Sequence, residues 1–119
     1  MYLFIQYPKC STCQKAKKWL EANNIEFVSR HIVEEHPKAA ELSKWIAASG
    51  QPVKKFFNTS GNKYKELALK EKLPAMQEAE QIELLASDGM LVKRPLLISN
   101  DVVLIGFKEA QWAEALLEG

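Results

Sequence analysis

The sequence predicts a single mixed α/β domain, residues 1–119, in which a βαβ unit at the start and a ββα unit at the end flank an all-helical insertion over about residues 37–89. Three observations lead to this order. A short apolar run feeds straight into a helix-like pattern and then into a second apolar run. The middle of the chain keeps helical spacing throughout. Two strand-like runs separated by Asn100 and Asp101 then precede a last amphipathic stretch. A chain of 119 residues that is 47% hydrophobic and 26% charged can bury a core of its own, and no repeat, low-complexity tract or Gly/Ser linker divides it.

Residues 2–6, YLFIQ, form an apolar run that stops at Tyr7 and Pro8, as a buried strand would. A helix is expected from about Ser11, with Cys13, Ala16 and Leu20 on one face and Asn23 and Asn24 at its end. The next stretch, IEFVSRHI, reads as a second strand. From Pro37, placed in a first helical turn, Leu42, Trp45, Ile46 and Ser49 share a face, and Gly50 follows as a C-terminal cap. A short helix over Val53 to Asn58 and another from Gly61 to Leu69 come next. A further one runs from Pro74, with Met76, Ala79, Ile82 and Leu85 on its face and Gly89 as its stop. RPLLIS and VVLIGF should pair as an antiparallel hairpin, and Trp112, Ala115 and Leu116 should close the chain on a short amphipathic helix.

Composition excludes some partners. A formal charge of +1 supplies no broad attraction to nucleic acid or to an anionic membrane. No apolar run approaches the ~20 residues that span a bilayer, and MYLFIQYP lacks the layout of a secretory leader, so a cytoplasmic location is expected. In a reducing compartment an isolated CxxC points to reactivity more than to a permanent disulfide.

Cys10 and Cys13, the two cysteines of "YPKCSTCQKAKKWL", therefore carry the chemistry. A thiol at a helix start meets unsatisfied N–H groups and the positive end of the helix dipole, and both favour the nucleophilic thiolate. Cys10 has that place, with Lys9 beside it. Cys13, one turn on, should be more buried, which suits a resolving thiol that attacks a mixed disulfide on Cys10. A CxxC near a βαβ pattern is the sign of a thioredoxin-like redox motif. "KRPLLI" adds to it, because such folds set a proline, often cis, before a strand that faces the CxxC. Pro95 is then the candidate ligand-facing proline. Arg94 before it would bring a fixed cation and five donors to the thiols or to an anion bound there. Cys13 alone also fits plain core packing, and Arg94 alone an ordinary solvated arginine. Zinc needs four ligands, and one CxxC with His31 and His36 is a poor match, so no metal is expected. His31, His36 and Trp45 are read as structural.

"YPKCSTCQKAKKWLEANNIEF", the central helices and "KRPLLIS…VLIGF" together resemble, over essentially the whole chain, the family that joins glutaredoxin-coupled arsenate reductases with the Spx regulators. The resemblance implies a thioredoxin-like, glutaredoxin-type core with a helical insertion, Cys10 as reactive cysteine, Arg94 as the anion-linked arginine and Pro95 as a cis proline. It implies no bound cofactor, glutathione as a co-substrate, and a small thiol or oxyanion as substrate, with glutaredoxin or thioredoxin as partner. Two departures separate the chain from the reductases. The family's further arginines fall at Asn58 and at Gly106 or a neighbour, and neither is arginine here, so an oxyanion would be held weakly. The CxxC instead resembles Spx, whose internal disulfide is a switch and whose partner is the RNA polymerase α-subunit; Gly50 matches a glycine of that docking surface. Spx chains extend beyond the position of Gly119. The readings ranked from the sequence are a thiol-dependent reductase, an Spx-like redox regulator, and a redox-silent relative.

Overall fold

The computed structural model describes residues 1–117. In chain order the elements are β1 (Tyr2–Gln6), α1 (Ser11–Ala22), β2 (Phe27–His31), α2 (Ala39–Ser49), α3 (Asn62–Glu66), α4 (Leu69–Lys72), α5 (Glu78–Ser87), β3 (Leu96–Ile98), β4 (Val103–Ile105) and α6 (Glu109–Leu117). Short 3-10 turns lie at Val53–Phe56, Leu73–Ala75 and Gly89–Leu91. The chain divides into two compact units: Met1–His31 with the segment from Arg94 onward, and Ile32–Lys93.

The first unit is built on a four-stranded mixed sheet of order β2-β1-β3-β4. β1 runs parallel to β2 and antiparallel to β3, with Ile5 opposite Leu96 and Gln6 opposite His31. Phe4 and Ile5 are both fully buried, and successive strand side chains face opposite ways, so both faces of β1 are covered there. Ala16 and Leu20 of α1 and Trp112 of α6 pack on Phe4, Leu97 and Leu104, with Trp19, Phe27 and Phe107 around them. The Trp112 indole N–H donates to the Gly106 carbonyl at 3.0 Å, and Gly106 holds a φ of 70° where its own N–H donates to the Pro95 carbonyl at 2.8 Å. The expected ββα ending is thus present, closed by a glycine in the left-handed region. Cys13, Ala16 and Leu20 are the buried face of α1, as their spacing requires. Ala115 is exposed, and Trp112 and Leu116 pack on the core from α6. β2 is shorter than IEFVSRHI because only Phe27–His31 have β1 partners.

The second unit is helical, with three corrections to the expected boundaries. Pro37 precedes α2, whose N-terminus is set by Lys38, its N–H donating to Glu41 Oε1 at 3.0 Å. Gly50 does cap that helix, at φ 68°. The segment expected as one helix from Gly61 to Leu69 is broken at Ala68, whose φ of 55° ends α3 and starts α4 in a new direction. Pro74 lies in a 3-10 turn and Met76 is extended, so α5 begins only at Glu78, where the Gln77 N–H donates to Glu80 Oε1 at 2.9 Å. Ile82 and Leu85 are its buried face, while Ala79 is exposed. Beyond α5, Gly89 lies where an added Cβ would collide with the Ile32 carbonyl oxygen, a gap only glycine leaves open.

Candidate active site

β1 delivers the chain into a tight turn. The Cys10 N–H donates to the Tyr7 carbonyl at 3.0 Å, and the Gln14 side chain donates to the Pro8 carbonyl at 2.9 Å. Cys10 is then the N-cap of α1, with extended backbone at φ −88° and ψ 121°, and the first turn that follows holds no acidic residue to neutralise the helix terminus. Sulfur is a long, soft acceptor, and the surroundings favour it as an anion.

Burial pushes the Cys10 thiol up, but the Cys13 backbone N–H, the Cys13 thiol and the Arg94 guanidinium all donate to the sulfur, and the Arg94 charge adds to them. The balance holds Cys10 below the ordinary cysteine value. Cys13 is only 1% exposed, against the half-buried Cys10. Burial first, and the neighbouring Cys10 after it, push Cys13 up to about 12 against the opposing Tyr7 N–H and Arg94. Both residues are thiols in the structure.

Arg94 is half-buried immediately before β3, and its peptide bond to Pro95 is cis. The fold thus brings Cys10, Cys13 and Arg94 together, with the buried Pro95 next to the last of them. Lys9 is exposed. Asn58 belongs to the helical unit, where its N–H donates to the Leu91 carbonyl at 2.7 Å. His36 Nδ1 lies 3.3 Å from the Pro37 carbonyl, and Trp45 is buried in the same unit. Among the described residues no group of three or more His, Cys, Asp or Glu side chains could hold a metal ion.

Tyr7, read from the sequence only as the stop of a strand, is part of this cluster. Its ring lies under the Arg94 guanidinium, with Cζ 5.0 Å from the centroid, and meets the His31 ring edge-on at 5.7 Å. The signal that could have found it is position: it directly precedes the Pro-Lys-Cys turn at the end of β1.

A mixed sheet of this order, a CxxC at the mouth of α1 and a cis proline before β3 define a thioredoxin-like protein. Residues 5–115 match the ArsC family, and the chain belongs to that family. A protein from Bacteroides fragilis assigned as ArsC family related has a crystal structure with 61% identity and a TM-score of 0.93, covering 95% of each chain. A "possible arsenate reductase" from Streptococcus mutans is 44% identical, with a TM-score of 0.85 over 91% of this chain and 92% of its own. Among curated relatives, the regulatory protein MgsR of Bacillus subtilis is 32% identical over 91% of this chain and 84% of its own. No described helix is long and apolar enough to cross a membrane.

Proposed function

We propose that this chain is a thiol-disulfide oxidoreductase of the ArsC family in which Cys10 attacks, Cys13 resolves and Arg94 stabilises the anion. The observation that carries the reading is the asymmetry of the pair: a half-exposed Cys10 held toward thiolate beside a buried Cys13 held as thiol. The Cys10 thiolate attacks one sulfur of a substrate disulfide, forming a mixed disulfide and releasing the other half as thiolate. That thiolate takes the Cys13 proton and leaves as thiol. The Cys13 thiolate then attacks the Cys10 sulfur, which releases the second substrate half as a thiolate that takes a proton from water, and leaves the Cys10–Cys13 disulfide. Two electrons have moved from the pair to the substrate. Two molecules of glutathione, or a glutaredoxin or thioredoxin, return them.

The first step prepares the second. Burial is the main reason Cys13 stays protonated, but the charge on Cys10 is another, and that charge disappears in the mixed disulfide. Arsenate is a weaker candidate for substrate. Gly106, at or next to the place where the resemblance sets an arginine, has a left-handed backbone that a side chain occupies only under strain, and Asn58 carries no charge. A second reading is favoured by the match to MgsR: the same disulfide would act as a redox switch in a regulator that docks on the RNA polymerase α-subunit. Retention of the reduced or oxidised chain by immobilised α-subunit separates that reading from the first.

The test of the first is trapping. With glutathione disulfide at neutral pH, Cys13→Ser should accumulate one glutathione per chain on Cys10, the wild type should proceed to an internal disulfide, and Cys10→Ser should stay unmodified. Glutathione found on Cys13 would reverse the assignment.

A further inference from the structure

We infer that Tyr7 is the positioning residue of this site, its ring holding the Arg94 guanidinium against the cysteine pair while its backbone holds the Cys10 N–H and the Cys13 sulfur; the inference rests on the roles proposed for Cys10 and Arg94.

Three separate groups of Tyr7 reach three separate site residues. Its carbonyl accepts the Cys10 N–H at 3.0 Å, which closes the turn before α1. Its own N–H donates to the Cys13 sulfur. Its ring carries Arg94, with Cζ 5.0 Å from the centroid, inside the roughly 6 Å over which a cation is drawn to an aromatic face. The register explains the last contact. In the β1–β3 ladder Leu3 faces Ile98, Phe4 faces Leu97 and Ile5 faces Leu96. Continued by two residues at the same end, that register sets Tyr7 opposite Arg94, so the pairing of two strands brings ring and guanidinium together.

The ring is held in turn. His31 ends β2 opposite Gln6, and its ring meets the Tyr7 ring edge-on, at an interplanar angle of 86°. Tyr7 is therefore held by a T-shaped ring contact while its face meets the cation. A half-buried arginine has many rotamers, and ordering a long charged side chain is entropically unfavourable. A flat aromatic face restricts the guanidinium to a plane from which its N–H groups still point at Cys10. The ring contribution can be removed by itself, because the two backbone bonds survive any side chain but proline.

The test is the rate of Cys10 alkylation by iodoacetamide against pH in the full chain, for wild type, Tyr7→Phe, Tyr7→Leu, Arg94→Ala and the Tyr7→Leu/Arg94→Ala double variant. Tyr7→Leu should move the Cys10 midpoint to higher pH and slow the reaction at neutral pH by roughly two- to fivefold, the equivalent of a partly exposed cation–π contact. Tyr7→Phe, which keeps the face, should behave as wild type. The double variant should match Arg94→Ala, since the ring has no cation left to hold. If Tyr7→Leu fails to fold, Tyr7→Met, which fills similar space without a face, is read the same way. A wild-type midpoint in Tyr7→Leu, or an equal added shift from it in the Arg94→Ala background, overturns the inference and leaves the roles of Cys10 and Arg94 standing. A wild-type midpoint in Arg94→Ala overturns the Arg94 role, and the inference with it.

Discussion

At the scale of single residues, two cysteines three positions apart are driven to opposite ends of the thiol range by burial and by what donates to each. That difference couples to folding with opposite signs. Cys13 has a folded pKa above its unfolded one, so its contribution to stability is complete below the ordinary cysteine value and is lost as pH rises from there toward about 12. Cys10 has a folded pKa below its unfolded one. Its contribution is complete above the ordinary value and is lost as pH falls through the folded pKa. Thermal melts of the reduced protein should therefore decline on the alkaline side, and Cys13→Ser, which carries no group that titrates there, should flatten that decline. An unchanged alkaline slope in the variant would assign the loss to other groups.

At the scale of elements, what was legible followed from how local each cause is. β1, α1 and the ends of α1 were readable because an apolar strand run, a three- and four-residue spacing and two asparagines act within a few residues of each other. Cys10 and Cys13 were readable for the same reason. Arg94 was readable from the proline beside it, whereas Tyr7 was marked only by its place before the Pro-Lys-Cys turn, because its contact exists only through the β1–β3 register. The helical unit was least legible. Pro37 and Pro74 both precede helices by more than the expected step, and nothing in "NKYKELALKEK" marks Ala68 as left-handed. An alanine at φ 55° is strained by roughly 1–2 kcal/mol, part of which a glycine returns through the greater freedom of its unfolded chain. Ala68→Gly should accordingly raise the urea midpoint by an amount equivalent to about 0.5–1 kcal/mol. A fall would mean that the Ala68 methyl packs more productively than its backbone is strained.

At the scale of the whole molecule, the sheet unit is what assembles the chemistry. The turn after β1 supplies Tyr7 and leads to Cys10, α1 supplies Cys13, and the approach to β3 supplies Arg94, three segments that a mixed sheet with one parallel and two antiparallel pairings brings to one end. The core of Phe4, Ala16, Leu20, Leu97, Leu104 and Trp112 fixes α1 on that sheet and so fixes where its N-terminus points. The central claim is that this arrangement gives the two cysteines different work. The most direct test is alkylation of each cysteine in the reduced wild-type chain as a function of pH, read peptide by peptide. Cys10 should react first, with a midpoint below the ordinary cysteine value, while Cys13 stays unmodified until far into the alkaline range; equal rates, a reversed order, or Cys10 titrating at the ordinary value would contradict the account.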